Sequence, residues 1–373
     1  MYPIFLFLFL FQFNLWVKNT SYLKACYGYF PVPDISVKIA EDKDFTISAT
    51  SPYKIKDKSK EKIFHYPVKI KSLPAGIDVE GSIWQKQITV EPMDGSFCEV
   101  NKRRYRGIIL VKKSKDKLEI INTLSLEEYL YGLIKLEISP EWPLPTLCAQ
   151  AIVARTYAIR KLWEDSSILT NLAQHQMYGG VEAEDARGRI AVDLTRGEIL
   201  TYKGRPINSV YHACSGGYIT SSKEVWGEDY PYLKAHKDPF SIHSPYDRWQ
   251  VKIPKSELEK ILQRAGLRVR GLKSLKILKK DTSGRCKVLL ISFKNGHQFI
   301  SGNKLREILG FNFLRSTLFE INNKKDELIF EGKGWGHGVG MSQWGAARMG
   351  ELGYSTEEIL YFYYPGTGIK KIY

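Results

Sequence analysis

The chain has 373 residues, of which 43% are hydrophobic, a composition that is typical of a folded protein with one or two substantial cores and that excludes disorder as the default. Lysine and arginine outnumber aspartate and glutamate by 55 to 40, and the formal net charge of +15 favours an anionic partner such as nucleic acid, a membrane surface or an acidic wall polymer. No RNP, zinc-finger or basic-zipper signature occurs, so we expect no nucleic-acid partner, although composition alone leaves a secreted polyanion binder open.

The N-terminal segment has the pattern of an export signal. An apolar run extends from Ile4 to Val17, which is short for a membrane span because a span needs about 20 apolar residues. No lysine or arginine precedes the run, so residues 1–26 are either a signal peptide or an uncleaved membrane anchor. We therefore expect an exported protein of the periplasm or cell envelope, with membrane contact through the N-terminus if this segment is retained.

Five cysteines are scattered along the chain, at Cys26, Cys98, Cys148, Cys214 and Cys286. Their number is odd and no CxxC pair occurs, so the sequence does not indicate a disulfide framework. Export is predicted from the N-terminal segment alone.

Residues 27–122 consist of short alternating runs broken by turn residues. Examples are ISVKIA at residues 35–40 and KLEIIN at residues 117–122. Alternation of this kind with valine, isoleucine and threonine is typical of half-buried strands. We predict a β-rich N-terminal domain here.

Helical spacing begins at residue 124. Ser125 followed by Glu128 is a capping-box pair. One face of the predicted helix carries three leucines and then a carboxylate: Leu126, Leu130, Leu133 and Glu137. Two prolines follow, and then a second predicted helix at residues 145–163, whose small alanine side chains favour close packing against the first helix.

Residues 247–319 can be drawn as a separate small unit. It would contain a helix opened by Ser256 and closed by Gly266, two strands, and a short helix near residues 303–310. No residue in it is a candidate for catalysis, and we predict an inserted α/β subdomain. The predicted fold class is α+β: a β-rich N-terminal domain, then a mixed α/β catalytic core of residues 123–246 and 320–373 that carries this insertion.

Glu137 is the strongest single candidate for chemistry. A carboxylate that continues a leucine stripe lies where desolvation favours its neutral form, which suits a general acid. The alternative is that the helix frays before Pro140 and that Glu137 only solvates its end. Arg155 lies among alanines on the second helix, where a guanidinium needs a carboxylate partner, and Glu137 is near enough in sequence to be that partner. An ordinary structural ion pair fits Arg155 equally well.

A second cluster is YHACSGG, at residues 211–217. A Cys/His nucleophile pair, a metal site and a plain strand-to-turn junction all fit it. His212 and Cys214 would point the same way on a strand and could both ligate zinc, but two ligands do not make a site. Further ligands could come from three other histidines: His175, His236 and His337.

The segment EGKGWGHGVG at residues 331–340 has glycine at every second position from residue 332. Glycine costs roughly 0.5–1 kcal/mol relative to alanine inside a regular element, so something must lie close against this backbone. That could be another part of the protein or a ligand. Aromatic residues such as Trp335 and Tyr178 occur together with the amides of Gln176 and Gln343, and this mixture suits sugars, which have apolar faces and hydroxyl edges.

Three stretches together resemble the stage II sporulation protein D family of peptidoglycan lytic transglycosylases, which is related to the amidase enhancers. They are LSLEEYLYGLIKLEISPEWPLPTLCAQAIVARTYAIR at residues 124–160, NSVYHACSGGYITSSKEVWGEDYPYL at residues 208–233 and GKGWGHGVGMSQWGAARMGELGYSTEEILYFYYPGT at residues 332–367. The resemblance covers most of residues 105–240 and 300–373, in the same order.

The resemblance implies that Glu137 is the catalytic acid/base and Arg155 a required neighbour, with Tyr211 and His212 in the same cleft. It implies that the glycine-rich stretch lines a glycan groove. The residues then expected to bind the strand are Gln176, Tyr178, Ser215, Gly216, Trp335, His337, Gly338, Gly340 and Gln343. The implied reaction cleaves the bond between N-acetylmuramic acid and N-acetylglucosamine, in strands that are expected to be stripped of peptide, and leaves 1,6-anhydromuramyl ends.

One departure concerns metal. Some family members bind zinc through cysteine and histidine just before the QxY motif, whereas this chain has His175 and no cysteine there, so we expect no metal cofactor, with zinc as the alternative. A hydrolase would need a second carboxylate, which Glu224, Glu228 or Glu331 could supply. A non-catalytic wall-binding activator of an N-acetylmuramoyl-L-alanine amidase also stays open, and such an amidase would then be a partner.

Overall fold

The structure is a computed structural model that describes residues 31–165, 169–170, 176–242 and 244–373. The predictions for residues 1–26, for Cys26 and for His175 therefore lie outside the described residues. The chain divides into two compact units, Met1–Asn208 with Ile369–Tyr373, and Ser209–Gly368. The predicted boundaries at residues 122, 246 and 319 stay predictions.

The first unit begins with the predicted β-rich region. Its strands are β1 Asp34–Asp42, β2 Asp44–Ala49, β3 Tyr53–Lys56, β4 Glu61–Phe64, β5 Val68–Leu73, β6 Gly76–Val79, β7 Ser82–Trp84, β8 Gln87–Pro92, β9 Cys98–Val100, β10 Arg103–Tyr105, β11 Ile108–Ser114, β12 Lys117–Ser125, β13 Leu169–Thr170, β14 Glu198–Tyr202 and β15 Arg205–Pro206. One sheet has the order β13-β1-β12-β11-β8-β3-β4 and another the order β10-β9-β2-β5-β6-β7. Alternate side chains, such as Ile35 and Val37 of β1, are buried in one core, so the period-two prediction is confirmed here.

The helices of the first unit are α1 Leu126–Tyr131, α2 Ile134–Glu137, α3 Leu144–Asp165 and α4 Ala186–Leu194, and a 3₁₀ turn covers Val181–Ala183. Ser125 caps α1 by accepting the Glu128 N–H at 3.4 Å, as predicted, whereas the Glu128 carboxylate accepts the Ser125 hydroxyl at 2.8 Å instead of forming the second bond of a capping box. Helix α3 is also as predicted, and its alanines at residues 149, 151, 154 and 158 are buried.

The single helix predicted from Leu126 to Glu137 is interrupted. Helix α1 ends at Gly132, whose carbonyl accepts the Gly179 N–H at 3.1 Å. A Cβ at residue 132 would lie 2.8 Å from the Gly180 carbonyl oxygen and from the Tyr178 ring. The break therefore accommodates a segment that is distant in sequence, which helical periodicity cannot reveal. The three leucines of the stripe are nevertheless fully buried, at residues 126, 130 and 133.

The strands of the second unit are β16 Tyr211–His212, β17 Tyr218–Ile219, β18 His236–Lys237, β19 Trp249–Pro254, β20 Leu272–Lys280, β21 Cys286–Phe293, β22 Gly296–Ser301, β23 Phe319–Asn323, β24 Glu327–Gly332 and β25 Met341–Ser342. Its helices are α5 Ser222–Trp226, α6 Lys255–Arg264, α7 Gly302–Leu309, α8 Gln343–Glu351 and α9 Thr356–Tyr363, with a 3₁₀ turn at Pro239–Ser241. The helices and strands predicted for residues 247–319 are thus confirmed as elements, and the α+β class is confirmed for the chain.

Sheet order in the second unit brings distant segments together. Strands β19, β24 and β23 form one sheet in that order, β20, β21 and β22 form another, and β17 pairs with β18. Strand β16 pairs in parallel with β25, so that Tyr211 lies opposite Met341 and His212 opposite Ser342. The YHACSGG segment and the glycine-rich stretch are therefore neighbours.

The chain returns to the first unit near residue 369. The strand Gly368–Lys371 lies beside β14 in the order β15-β14 and then this strand. The Ile372 N–H donates to the Gly197 carbonyl at 2.9 Å. Within the part of the chain that the structure describes, no helix is both long and apolar enough to cross a membrane.

Candidate functional site

Glu137 ends helix α2 and is half-buried. Its Oε1 accepts the backbone N–H of Met177 at 2.8 Å, and this hydrogen bond fixes the carboxyl group against the segment 176–178. The adjacent Leu136 and Met177 side chains are 39% and 43% exposed. The carboxyl group is therefore held in place and still lies beside surface that is open to a ligand.

The Gln176–Tyr178 segment is anchored through its side chains. Gln176 is buried, accepts the Tyr129 hydroxyl at 3.2 Å and donates from Nε2 to the Ala154 carbonyl at 3.3 Å. The Tyr178 hydroxyl donates to Asn122 Oδ1 at 2.7 Å. Both predicted binding residues thus hold the Met177 N–H in front of Glu137, and their contact with glycan stays a prediction.

Tyr129 belongs to the same group, although the sequence analysis did not identify it. Its ring is buried against Tyr178, with centroids 5.2 Å apart. Burial raises the pKa of the Tyr129 hydroxyl well above its usual value, and the negative charge of Glu137 raises it further. The hydroxyl therefore stays protonated and lies within the electrostatic field of Glu137. Tyr129 lies three residues after Leu126, on the same helical face as the leucines, where the spacing predicts only an ordinary core residue.

Arg155 has a different partner from the one predicted. It is fully buried and pairs with Glu127 on α1, with Nε to Oε1 at 2.7 Å and Nη2 to Oε2 at 2.8 Å. Its remaining contacts are Nη1 to Thr195 Oγ1 at 3.3 Å and to the Glu198 carbonyl at 3.2 Å, and Nη2 to the Val192 carbonyl at 3.1 Å.

The interpretation that Glu137 holds Arg155 is therefore wrong. A guanidinium has five N–H groups, and the structure gives Arg155 five acceptor contacts within the protein. Glu127 was overlooked because an acidic residue in the first turn of a helix is ordinary there. Arg155 is a positioning residue that ties α3 to α1.

His212 is buried in the second unit. Its Nδ1–H donates to the Val339 carbonyl at 3.1 Å, and its Nε2 has no hydrogen-bond partner among the described residues. Burial lowers the pKa of His212 well below its usual value, and the neighbouring His337 and Arg285 side chains lower it further. The imidazole is therefore neutral at pH 7 and directs an unprotonated nitrogen into the unit.

His337 lies next to His212, with ring centroids 5.3 Å apart, and next to Trp226 at 5.1 Å. Its Nε2–H donates to the Tyr211 carbonyl at 2.9 Å, and its Nδ1 accepts the Val339 N–H at 3.1 Å. Burial and then the charge of Arg306 lower the pKa of His337 to about 4. Both ring nitrogens thus form hydrogen bonds with the backbone, and His337 fixes the conformation of the glycine-rich stretch.

The glycine-rich stretch is packed against protein on the side where side chains would project. A Cβ at Gly336 would lie 2.6 Å from the His212 Cβ, and one at Gly338 would lie 2.4 Å from the Arg285 guanidinium carbon. The other three glycines meet the Trp249 ring, the Cys214 carbonyl oxygen and the Val210 carbonyl oxygen at 2.1, 2.6 and 2.1 Å: Gly332, Gly334 and Gly340.

The inference that this glycine spacing indicates a ligand is therefore corrected. The close neighbour that requires glycine is the protein itself at each of the five positions. Trp335 exchanges backbone hydrogen bonds with Cys214 at 2.8 and 2.9 Å, and its ring lies 4.7 Å from that of Tyr246. Contact of Trp335, His337, Gly338 and Gly340 with glycan stays a prediction.

Ser215 is fully buried, and its hydroxyl donates to Asp238 Oδ2 at 2.7 Å and lies 2.6 Å from the Ser241 hydroxyl. Gly216 has a φ of +71° and would place a Cβ 2.8 Å from the Gly334 nitrogen. Gln343 is 6% exposed at the start of α8. These predicted binding residues belong to the packing of the second unit, and their contact with glycan is likewise still a prediction.

The metal and thiol alternatives can be compared with this geometry. Among the described residues, no group of three or more His, Cys, Asp and Glu side chains is arranged to hold a metal ion. His175 lies outside the described residues, so the expectation of no metal stays a prediction. Burial raises the pKa of the Cys214 thiol, which disfavours a thiolate nucleophile there.

The predicted residues form two groups. Glu137, Gln176 and Tyr178 lie together in the first unit, with Arg155 behind them on α3. The second unit holds Tyr211, His212, Ser215, Gly216, Trp335, His337, Gly338, Gly340 and Gln343, together with the three candidate second carboxylates Glu224, Glu228 and Glu331.

Comparison with known proteins bears on residues of both groups. A family model described as Stage II sporulation protein matches residues 114–202, which contain Glu137, Arg155, Gln176 and Tyr178. A model described as Domain of unknown function (DUF8618) matches residues 241–340, which contain Trp335 and His337.

Individual proteins are similar to longer parts of the chain. The chain is 30% identical to Stage II sporulation protein D of Bacillus subtilis over 269 residues, which is 67% of this chain and 76% of that protein. It is 30% identical to an uncharacterised protein of Brachyspira hyodysenteriae over 358 residues, 93% of this chain and 95% of the other. It is 29% identical to the Amidase enhancer of Bacillus subtilis over 286 residues, which is 64% of this chain but only 40% of that protein. The chain therefore belongs to the stage II sporulation protein D family.

Proposed function

We propose that this protein is a peptidoglycan lytic transglycosylase in which Glu137 acts as the single acid and base. Membership of the stage II sporulation protein D family supports a role at the bacterial cell wall. The proposed substrate is the glycan strand, and the proposed bond is the one between N-acetylmuramic acid and N-acetylglucosamine. The apolar N-terminal run supports an exported location at the cell envelope.

One observation carries the proposal: the Glu137 carboxyl group is half-buried, fixed by the Met177 N–H at 2.8 Å, and bordered by exposed side chains. A general acid must be held at one position and must still reach its substrate. Tyr129 and Gln176 fix the opposing backbone from the interior. The exposed Leu136 and Met177 side chains supply apolar surface of the kind on which a sugar ring packs.

The proposed reaction uses one carboxyl group twice. Protonated Glu137 donates its proton to the glycosidic oxygen, and the bond from that oxygen to C1 of the muramyl residue breaks. The Glu137 carboxylate then accepts the proton of the C6 hydroxyl of the same residue, and O6 forms a bond to C1. The products are a strand with a free 4-hydroxyl group and a strand with a 1,6-anhydromuramyl end. No water is consumed, so a second carboxylate to activate water is not required.

The other residues have supporting roles in this proposal. Arg155 and Glu127 hold α3 against α1, whose C-terminal end leads into α2 and Glu137. Arg155 therefore acts through the position of the helix that precedes Glu137. The net charge of +15 suits a polymer that bears carboxylates on its muramyl and peptide groups.

A second candidate is a non-catalytic activator of an N-acetylmuramoyl-L-alanine amidase. The observation that favours it is the 29% identity to the Amidase enhancer, which covers 64% of this chain. In that case the glycan strand would be bound but not cut, and the partner would be the amidase.

The test is mass spectrometry of soluble products after the protein is incubated with intact and with peptide-stripped peptidoglycan. The variants are Glu137→Gln and, as a matched control, Glu141→Gln, because the Glu141 side chain is 85% exposed and lies four positions further along. We expect 1,6-anhydromuramyl products from the wild type and from Glu141→Gln. We expect Glu137→Gln to be slower by about 10²-fold or more, since general acid–base catalysis typically contributes that much.

The outcomes separate the two candidates. If the wild type binds strands but releases no anhydromuramyl product, the transglycosylase proposal is wrong, and an amidase assay follows. If Glu137→Gln then raises amidase output as well as the wild type does, the activator is the function. Terminal reducing muramyl residues in place of anhydro ends would instead indicate a hydrolase with a second carboxylate.

A further inference from the structure

Three arginines of residues 241–340 lie close to the glycine-rich stretch: Arg285 against Gly338, Arg306 near His337, and Arg315 over the Trp335 ring at 5.4 Å. None of them forms an ion pair within the described part of the chain, although Arg285 is only 2% exposed. A buried guanidinium without a paired carboxylate is costly, because desolvation disfavours the charge. An arrangement of this kind therefore requires an explanation.

The Arg285 guanidinium packs against the backbone of Gly338. Its Nη2 donates to the Ser215 carbonyl at 2.7 Å, and its Nη1 donates to the Tyr218 carbonyl at 2.8 Å and to the Ser283 hydroxyl at 2.9 Å. Its Nε–H has no hydrogen-bond partner among the described residues. Burial lowers the pKa of Arg285 only to about 10, so the group is charged at neutral pH.

Arg306 reaches the same turn from helix α7. Its Nε donates to the Leu314 carbonyl at 2.8 Å, and the next carbonyl, that of Arg315, accepts the Gly336 N–H at 2.9 Å. Arg306 is half-buried, and within the described residues its two terminal nitrogens make no hydrogen bond. The charge of Arg285 adds to burial in lowering the pKa of Arg306 to about 10, so both groups are charged at neutral pH.

The surrounding titratable groups do not neutralise this charge. His212 and His337 are both uncharged at pH 7. Asp281 is the one carboxylate whose charge acts on Arg285 among the described residues. Its Oδ1 accepts hydrogen bonds from the Ser283 hydroxyl at 2.6 Å and from the Arg285 backbone N–H at 2.8 Å. Asp281 therefore acts on Arg285 without a hydrogen bond to its guanidinium, and among the described residues no carboxylate acts on Arg306, so the glycine-rich stretch lies beside an excess of positive charge.

We propose that Arg285 and Arg306 form a carboxylate-binding site at the glycine-rich turn, in which Arg306 donates to the carboxylate and Arg285 supplies buried positive charge. Trp226, which is 46% exposed beside His337, provides an apolar face for the sugar that bears the carboxylate. The identity of the polymer rests on the proposed function. Its carboxylate is the lactyl group of a peptide-stripped muramyl residue or that of a stem peptide. This assigns a role to the region that matches a domain of unknown function.

The test measures binding by calorimetry with the full chain carrying Glu137→Gln, so that strands stay uncut. Four ligands are compared: peptide-stripped strands, the same strands with their carboxylates converted to methylamides, strands that keep their stem peptides, and neutral N-acetylglucosamine oligomers. Because binding is measured without turnover, a failure of this proposal is distinguishable from a failure of the proposed transglycosylase activity.

We expect methylamide conversion to weaken binding about tenfold or more, since charge-assisted hydrogen bonds are lost. Arg306→Gln should weaken binding to the carboxylate strands by a similar factor and leave binding to the neutral oligomers unchanged. The matched control is Arg348→Gln, because Arg348 is an exposed arginine of the same unit that pairs with Glu351. If Arg306→Gln does not fold, Arg306→Lys retains the charge, and the ligand comparison on the parent protein still decides the result.

Tighter binding of peptide-stripped strands than of peptide-bearing strands would identify the lactyl carboxylate, and the reverse would identify the stem peptide. Equal binding of carboxylate and methylamide strands would overturn the proposal. A DNA oligonucleotide that binds as tightly as the strands and loses affinity equally with salt would also overturn it, because that result describes a general polyanion surface.

Discussion

Arg155 on α3 and Glu127 on α1 form a buried ion pair with two parallel hydrogen bonds of 2.7 and 2.8 Å. The Tyr373 hydroxyl donates to the same carboxylate. Every polar contact of this pair is made within the protein. Its role is therefore to hold α3 against α1, the helix that precedes α2 and Glu137.

Removing one member of this pair should be costly. We expect Glu127→Gln or Arg155→Met to lower the free energy of unfolding by about 3–5 kcal/mol, because each leaves an uncompensated buried group. The double variant Glu127→Met/Arg155→Met should lose less than the sum of the single variants. Denaturant unfolding at pH 7 measures these differences.

The control for this prediction is on the same helix. Arg160 and Glu164 form a partly exposed pair with Nη2 to Oε1 at 2.7 Å, and Arg160 Nη1 also donates to the Pro206 carbonyl at 3.2 Å, so Arg160→Gln should cost at most about 1–2 kcal/mol. If Arg155→Met and Arg160→Gln cost the same, the buried pair is not what holds the helices together.

The Gly338 position tests the packing of the glycine-rich turn. Gly338→Ala would place a Cβ 2.4 Å from the Arg285 guanidinium carbon at a φ of +80°. We expect a loss of stability of about 2–5 kcal/mol from overpacking and the left-handed backbone together. Gly353→Ala is the control, since its φ is +87° and its Cβ would meet nothing within 4 Å.

Only the backbone contribution remains for Gly353→Ala, about 1–2 kcal/mol. Equal losses of unfolding free energy at both positions, measured by thermal or urea unfolding, would show that the arginine moves aside without cost.

His212 and His337 predict how stability depends on pH. The pKa of His337 in the folded protein is about 4, whereas an unfolded histidine has a pKa of about 6.5. Below pH 6.5 the unfolded chain therefore binds protons that the folded chain does not, and the free energy of unfolding falls as pH decreases. His212, whose pKa is lowered in the same direction, contributes with the same sign.

We expect a loss of about 1.4 kcal/mol per pH unit from His337 between about pH 6 and pH 4.5, with a further loss of the same sign from His212. His337→Gln should flatten this dependence, whereas His297→Gln, at an exposed position, should not. A stability profile that is flat through this window in the wild type would contradict the neutral state of both rings.

The hydrogen bond from Met177 to Glu137 can be removed through the backbone. Met177→Pro deletes the N–H that donates to Glu137 Oε1, whereas Met177→Leu retains it with an apolar side chain. We expect Met177→Pro to reduce the rate of anhydromuramyl product formation by about tenfold or more, because a hydrogen bond to a charged group is lost. Met177→Leu should stay within about twofold of the wild type, since that bond is kept.

The measurement is the initial rate of product release, with unfolding midpoints recorded for both variants. If Met177→Pro folds normally and keeps the wild-type rate, the bond does not position the acid.

Features fixed by neighbours in sequence were predictable. The cap at Ser125, the burial of the leucine stripe, and the alternation in β1 all depend on spacing within a few residues. The break at Gly132 was not predictable, because the group that needs the space is Gly180, which is 48 positions away.

In the candidate site, too, features set by neighbours in sequence were predictable and features set by distant residues were not. Glu137 could be singled out from its place on the stripe, but the true partner of Arg155 could not, because first-turn acidic residues are common. Arg285 and Arg306 have no periodic signal, so the sequence identifies no candidate for chemistry in their region. Their significance depends on the Ser215 and Leu314 carbonyls, which only the folded chain brings to them.

The strand Gly368–Lys371 and the Tyr373 hydroxyl have a consequence for synthesis on the ribosome. The β-rich region and α1–α4 are made first, but Glu127 receives its third hydrogen bond, and β14 its second neighbour, only after residues 209–368 have been translated. The first unit therefore closes late, through contacts of very large sequence separation, which are slow to form. While the second unit is being translated, the Glu127–Arg155 pair of the nascent chain lacks the hydrogen bond from the Tyr373 hydroxyl.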